Sequence, residues 1–298
     1  MWVKMLLYPT HTLPTALAPV AVAVGLAHHD GVLDLSTALL AFLAGWFIQV
    51  GGVFTDNYEN LVRHPSDREH PQLVHALQTG ALTLAGLRAA IAACYTISLL
   101  AGAALWVKAG PAVVAIGLVS IGASWVYSAG PFTFGGHGLA DPLFFTFFGV
   151  VSVAGTYYVQ AAGALSGYSA ALPLDAVLAG FPVGALAVAI LVIDDMRDRD
   201  FDVAKGKRTV ATMFGRQGSR IEYAMLVAFA YVFPLFLWLG RGYRAWVLLP
   251  FLTLPLAIRM VRDVLRLETF LDLVPMTPRS AGLEVLYSIL LGVGLAVR

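Results

Sequence analysis

Two acid-rich segments hold the residues best suited to chemistry. The first reads Asp56-Asn57-Tyr58-Glu59-Asn60 and continues through Arg63 to Asp67 and Arg68. The second reads Asp194-Asp195-Met196-Arg197-Asp198-Arg199-Asp200-Phe201-Asp202, followed by Lys205-Gly206-Lys207-Arg208-Thr209. Together they contain eight of the chain's 18 acidic residues, and each closes a long apolar run. Carboxylates at such a boundary are costly unless they are paired, solvated or bound to metal. On a helix, Asp195, Asp198 and Asp202 share a face with Asp194 beside them, while Gln49, Asp56, Glu59 and Asn60 fall along one stripe. Stacked carboxylates in a poorly solvated cleft repel one another, and divalent cations between the two segments remove that repulsion. Mg2+ suits the role because it takes oxygen ligands and keeps several waters while bridging carboxylates to substrate phosphates. The metal-ligating candidates are Asp56, Glu59, Asp67, Asp194, Asp195, Asp198 and Asp202, of which Asp56, Asp198 and Asp202 are also the catalytic candidates. Lys205, Lys207, Arg208 and Arg68 are placed to meet the charge of a diphosphate, with arginine offering a two-pronged grip on phosphate oxygens. Either segment taken singly reads as an ordinary solvated loop. Two at equivalent positions, one ending in Gly206-Lys207-Arg208-Thr209, favour the metal–diphosphate reading.

The elements that must position these residues are membrane helices. The chain of 298 residues is 59% hydrophobic and 12% charged, with a mean hydropathy of +0.78, which excludes an ordinary water-soluble globule. Nine apolar runs approach the length needed to span a bilayer: 13–27, 35–54, 82–107, 112–127, 139–161, 174–193, 221–239, 246–261 and 281–297. Only short polar stretches separate them, so one all-α membrane domain over 1–298 is expected. The N-terminal stretch, with Pro14 and Pro19 and no small-residue cleavage site, reads as a retained first helix rather than a signal peptide. The single cysteine, Cys94, lies in the third run, which leaves no disulfide framework and no cysteine metal site.

A net charge of +1 points to no nucleic-acid partner. Its distribution sets the topology. With a cytoplasmic N-terminus, that terminus and the loops after runs two, four, six and eight collect most of the lysines and arginines, so both acidic segments are expected on the cytoplasmic side of the plasma membrane. Carboxylates at a membrane boundary beside an apolar bundle fit a substrate with an isoprenoid tail and a diphosphate head. Departure of diphosphate leaves an allylic cation, which aromatic faces and exclusion of water stabilise. Tyr127, Phe132, Phe144, Phe148, Tyr157 and Tyr158 are available for that purpose. A cation-coupled transporter would also carry intramembrane acids, although these cluster at one boundary beside basic residues rather than at the midplane.

The second acidic segment with Gly206-Lys207-Arg208-Thr209 resembles the second aspartate-rich motif of the UbiA superfamily of intramembrane aromatic prenyltransferases. Within that superfamily the chain is most similar to the MenA branch, the 1,4-dihydroxy-2-naphthoate prenyltransferases of menaquinone synthesis. Thr12-Leu13-Pro14 with Ala18-Pro19, Tyr127-Ser128-Ala129-Gly130-Pro131, His137-Gly138-Leu139, Phe147-Phe148-Gly149 and Gly155-Thr156-Tyr157-Tyr158 with Gln160 carry the rest of the likeness, from about residue 10 to residue 215. The first motif departs from the family pattern: Thr55 precedes Asp56, Glu59 stands where an aspartate is usual, and Asp67 comes late. The resemblance implies nine helices around a central cavity capped by cytoplasmic polar loops and open to lipid. It implies Mg2+-dependent transfer of a polyprenyl group from polyprenyl diphosphate to an aromatic acceptor, best matched by the dihydroxynaphthoate, whose carboxylate the prenyl chain replaces. It also implies substrate-binding roles for Gln49, Tyr127, His137, Tyr157 and Tyr158. Other acceptors of such enzymes, namely 4-hydroxybenzoate, a tocopherol precursor or a glyceryl phosphate, are the alternatives within the same chemistry.

Overall fold

A computed structural model describes residues 15–63, 71–130, 132–165 and 172–298. Among them the structure is helical, with one isolated bridge between His137 and Arg208. Within the described residues, each of the nine apolar runs overlaps a helix. We number these α1 (Leu17–Asp30), α2 (Leu35–Arg63), α3 (Leu84–Ala109), α4 (Ala112–Ser128), α5 (Ala140–Ala164), α6 (Leu174–Ala204), α7 (Val210–Arg241), α8 (Ala245–Arg266) and α9 (Met276–Ala296). Seven spans are long and apolar enough to cross a membrane by length and composition; they correspond to α2, α3, α5, α6, α7, α8 and a last span, 270–296, that includes α9. Helices α1 and α4 are shorter, at 14 and 17 residues. Seven helices reach spanning length within the described residues, against the nine spans expected from hydropathy.

Local chemistry fixes the ends of several helices. Asp34 Oδ1 accepts from the backbone N–H groups of Ser36 and Thr37 at the start of α2. Thr83 accepts from Gly86 N–H at the start of α3. Thr209 and Thr212 form a reciprocal cap that starts α7 just after the second acidic segment. A turn of π-helix over Phe145–Val151 interrupts α5 and re-aims its aromatic residues. There α5 meets α6 backbone to backbone, since a Cβ on Gly149 would lie 2.5 Å from Gly184 Cα and from the Gly180 carbonyl oxygen.

The helix ends sort into two layers. At the end away from the acidic segments, Asp34 faces Lys108 at 3.7 Å, Asp175 pairs with Arg241 at 2.7 Å, and Arg298 donates to the carbonyl of His29. The connections after α4, α6 and α8 gather at the other end with the carboxylates. Helix α6 is the most enclosed of the spans, with 83% of its apolar window buried. That central position is why the second acidic segment is held more tightly than a surface loop would be.

Candidate active site

The acids emerge where α2 and α6 reach the polar end, on the wall of a cavity of about 610 Å³. From α2 the wall takes Gln49, Asp56, Glu59, Asn60 and Arg63; from α6 it takes Asp194, Asp195, Arg197, Asp198 and Asp202. Both stripes expected from helical spacing thus face one space. Asp200 points away, with its side chain 75% exposed, and pairs with Arg199 and Arg216.

Five of the six carboxylates have a defined partner set. Asp56 accepts from the Ser128 hydroxyl at 2.6 Å and from the Asn60 amide at 3.1 Å. Arg63 donates to Glu59 at 2.9 Å and to the Gly130 carbonyl at 2.7 Å, tying the first segment to the turn after α4. Arg197 donates to Asp194 at 2.6 Å and grips Asp198 through two nitrogens. Thr277, at the start of α9, donates to Asp194 at 2.7 Å. Lys207 pairs with Asp202 at 2.8 Å, and Asp198 and Asp202 are both buried. Charges this enclosed are tolerable because each is paired and hydrogen-bonded.

Lys205 and Lys207 line the cavity mouth, whereas Arg208 is exposed and outside the lining. Its backbone N–H donates to the Gly136 carbonyl at 2.9 Å, so Arg208 joins the His137 loop to the acidic segment through its main chain. His137 lines the mouth, donates from Nδ1 to the Thr133 carbonyl at 2.7 Å and stacks on Phe132 at 3.9 Å. Below the mouth, Tyr127, Phe144, Phe147 and Phe148 form an aromatic wall, with Phe144 and Phe148 stacked at 4.7 Å.

Two expected substrate ligands are not brought to this space. Tyr157 donates to Asp30 at 2.6 Å and Tyr158 to the Ala109 carbonyl at 3.2 Å, both at the far end of the bundle. The reason is helical facing: Thr156 lines the cavity, while the next two side chains on α5 are turned onto Asp30 and the Ala109 carbonyl. The cavity wall from α5 stops at Thr156. Phe132 lies outside the lining as well. Asp67 and Arg68 lie outside the described residues, as do Thr12-Leu13-Pro14.

Sequence reasoning missed four contributors. Arg197 had been read only as a topology charge, although its spacing of three from Asp194 on a helix was a usable signal. Ser128 and Thr277 come from distant parts of the chain and carry no local signal. Glu284, a lone acid in the last apolar run, also lines the cavity.

Among the described residues no three His, Cys, Asp or Glu side chains converge as a ready-made metal site; the carboxylates are turned onto Arg197 and Lys207 instead. The donor chemistry nevertheless fits Mg2+. Asp56, Glu59, Asp194, Asp195, Asp198 and Asp202 offer only oxygen to a shared space, and Mg2+ is commonly held by one or two carboxylates with water and phosphate completing the shell.

Comparison with known proteins agrees with this architecture. The chain is 29% identical to the 1,4-dihydroxy-2-naphthoate octaprenyltransferase of Mycobacterium tuberculosis (strain ATCC 25618 / H37Rv), over 92% of this chain and 90% of that protein. It is 28% identical to the enzyme of the same description from Escherichia coli (strain K12), over 95% and 92% respectively. The fold is shared with a UbiA homolog from Aeropyrum pernix K1, at a TM-score of 0.71 and 20% identity, covering 97% of this chain and 98% of that one. A UbiA homolog from Archaeoglobus fulgidus bound to DMAPP and Mg2+ matches at a TM-score of 0.60 and 18% identity, covering 97% and 98%. The model of the UbiA prenyltransferase family matches residues 16–269, and the chain belongs to that family of prenyltransferases.

Proposed function

We propose that this prenyltransferase moves a polyprenyl group from polyprenyl diphosphate to an aromatic acceptor, 1,4-dihydroxy-2-naphthoate, at the cytoplasmic face of the plasma membrane and with Mg2+. One observation carries the reading. A mouth lined by six carboxylates and by Lys205 and Lys207 opens directly onto an aromatic and apolar cavity inside a bundle of membrane helices. Few ligands other than a prenyl diphosphate need both environments within one molecule. The acceptor is supported by relatives that match 92% and 95% of the chain and carry that substrate in their description.

Asp56, Glu59, Asp194, Asp195, Asp198 and Asp202 are the residues that would hold the metal, which when bound would neutralise diphosphate charge as the leaving group departs. Lys205 and Lys207 supply further positive charge to the same oxygens. The allylic C–O bond breaks with its electron pair on diphosphate. The faces of Tyr127, Phe144 and Phe148 shield the cation, and the apolar wall excludes water. The ring carbon bearing the carboxylate then forms the new C–C bond. Carbon dioxide leaves and returns its bonding pair to the ring, so no external base or oxidant is required.

The test is an assay of purified protein against a panel of aromatic acids and prenyl diphosphates of several lengths. The naphthoate should be prenylated with Mg2+ present, and turnover should disappear with excess chelator and return when Mg2+ is restored. Full activity in chelator would remove the metal from the account, and turnover confined to 4-hydroxybenzoate would reassign the acceptor.

A further inference from the structure

Glu284 is the one acid on the cavity wall that belongs to neither acidic segment. It is 1% exposed, and its Oε2 has no hydrogen-bond partner. Seven residues before it on α9 stands Thr277, bonded to Asp194. A spacing of seven keeps both side chains on one helix face and puts Glu284 two turns, about 10 Å, deeper than the carboxylate mouth. The same spacing on α2 separates Asp56 from Gln49, which donates to Thr15 at 3.3 Å, and both Gln49 and Thr15 line the cavity. The cavity therefore has a second polar level beneath its charged one, with the aromatic wall as part of the same lining.

A carboxyl group at that depth, with no ion-pair partner among the described residues, has hydrogen-bonding capacity that the protein leaves unused. Left unsatisfied it destabilises the bundle; satisfied by a ligand it becomes a source of selectivity, because a site built around a buried polar group rejects a ligand that cannot pair with it. A prenyl tail offers no polar atom. A hydroxylated aromatic ring does, and a phenolic hydroxyl can donate to the unpartnered carboxyl oxygen.

We propose that Glu284 binds the distal ring hydroxyl of the aromatic acceptor, the one para to the hydroxyl beside the carboxylate, selecting rings that carry it and orienting the ring between this level and the carboxylate mouth. This assignment rests on the prenyl-transfer reading above. Its test is a ligand–residue cycle measured by equilibrium binding to the purified full chain. The ligands are 1,4-dihydroxy-2-naphthoate and 1-hydroxy-2-naphthoate, which lacks the distal hydroxyl, with a prenyl diphosphate as the control. Glu284→Leu should weaken the dihydroxy compound roughly tenfold or more, the scale of leaving one buried hydrogen-bonding group unpaired. It should leave the 1-hydroxy compound and the prenyl diphosphate unchanged, and Glu284→Gln, which still donates and accepts, should stay within about threefold of wild type. Thermal stability of Glu284→Leu should hold or rise, since an unpaired polar group has been removed. Wild-type affinity in Glu284→Leu, equal losses for both naphthoates, or a parallel loss for the prenyl diphosphate would each overturn the assignment. If wild type prefers another hydroxylated aromatic, the naphthoate reading fails, and the same cycle with that acceptor and its deoxy analogue decides the role of Glu284. If no aromatic compound binds, both readings fall.

Discussion

At the scale of residues, the site is a set of paired charges rather than a row of bare carboxylates. Arg197 bridges Asp194 and Asp198, and Lys207 holds Asp202. These pairs offset the cost of burying the acids and can be exchanged for metal and diphosphate when substrate arrives. Asp198→Asn and Asp202→Asn should each lower prenyl-transfer turnover about a hundredfold or more, the usual scale for losing one preorganised electrostatic contact. Asp200→Asn, on the exposed side of the same helix, should stay within a factor of about three, as expected for a surface pair. Steady-state assay of the three variants, with membrane yield as the control for folding, checks the helical-face assignment. An Asp200 effect as large as that of Asp198 would contradict it. The placement of these acids was legible in the sequence because their spacing of three and four repeats the helical period. Tyr157 and Tyr158 fall outside the cavity lining, because a sequence motif does not fix which face of α5 meets the cavity, and only Thr156 beside them reaches it. Glu284 was passed over for the opposite reason: a single acid has no spacing from which to argue.

At the scale of elements, hydropathy located the seven helices of spanning length, since each must bury or expose an apolar face to lipid over a long run. It did not reveal the π-helical turn at Phe145–Val151, whose extra residue leaves apolar composition untouched while rotating Phe144 and Phe148 relative to the rest of α5. Nor did it reveal that α5 and α6 touch through Gly149, Gly180 and Gly184. That contact sets the distance between the aromatic wall and the acidic helix. Gly149→Val should force the backbones apart at a cost of about 1–3 kcal/mol or more, the range for overpacking a filled interior. A drop in the thermal unfolding temperature of the detergent-purified protein, with a loss of turnover, is the expected outcome. Unchanged unfolding would mean that the helices do not pack this closely.

At the scale of the whole molecule, the account joins a charged mouth, an aromatic wall and a deeper polar level within one membrane bundle. Orientation follows from the distribution of lysine and arginine, and it can be read directly. Glu268 belongs to the acidic end and Lys108 to the opposite end, and the one native cysteine, Cys94, is buried. An impermeant thiol reagent applied to intact cells should label Lys108→Cys and not Glu268→Cys; the reverse pattern would turn the bundle over. The central claim is that this cavity replaces a ring carboxylate with a prenyl chain. It is tested most directly by supplying the purified protein with Mg2+, a polyprenyl diphosphate and dihydroxynaphthoate labelled with 13C at the carboxylate, then quantifying product and gas by mass spectrometry. The account predicts one labelled carbon dioxide released for each prenylated naphthalene formed. A prenylated product that retains the label, or no prenylated product with the dihydroxynaphthoate, would contradict it.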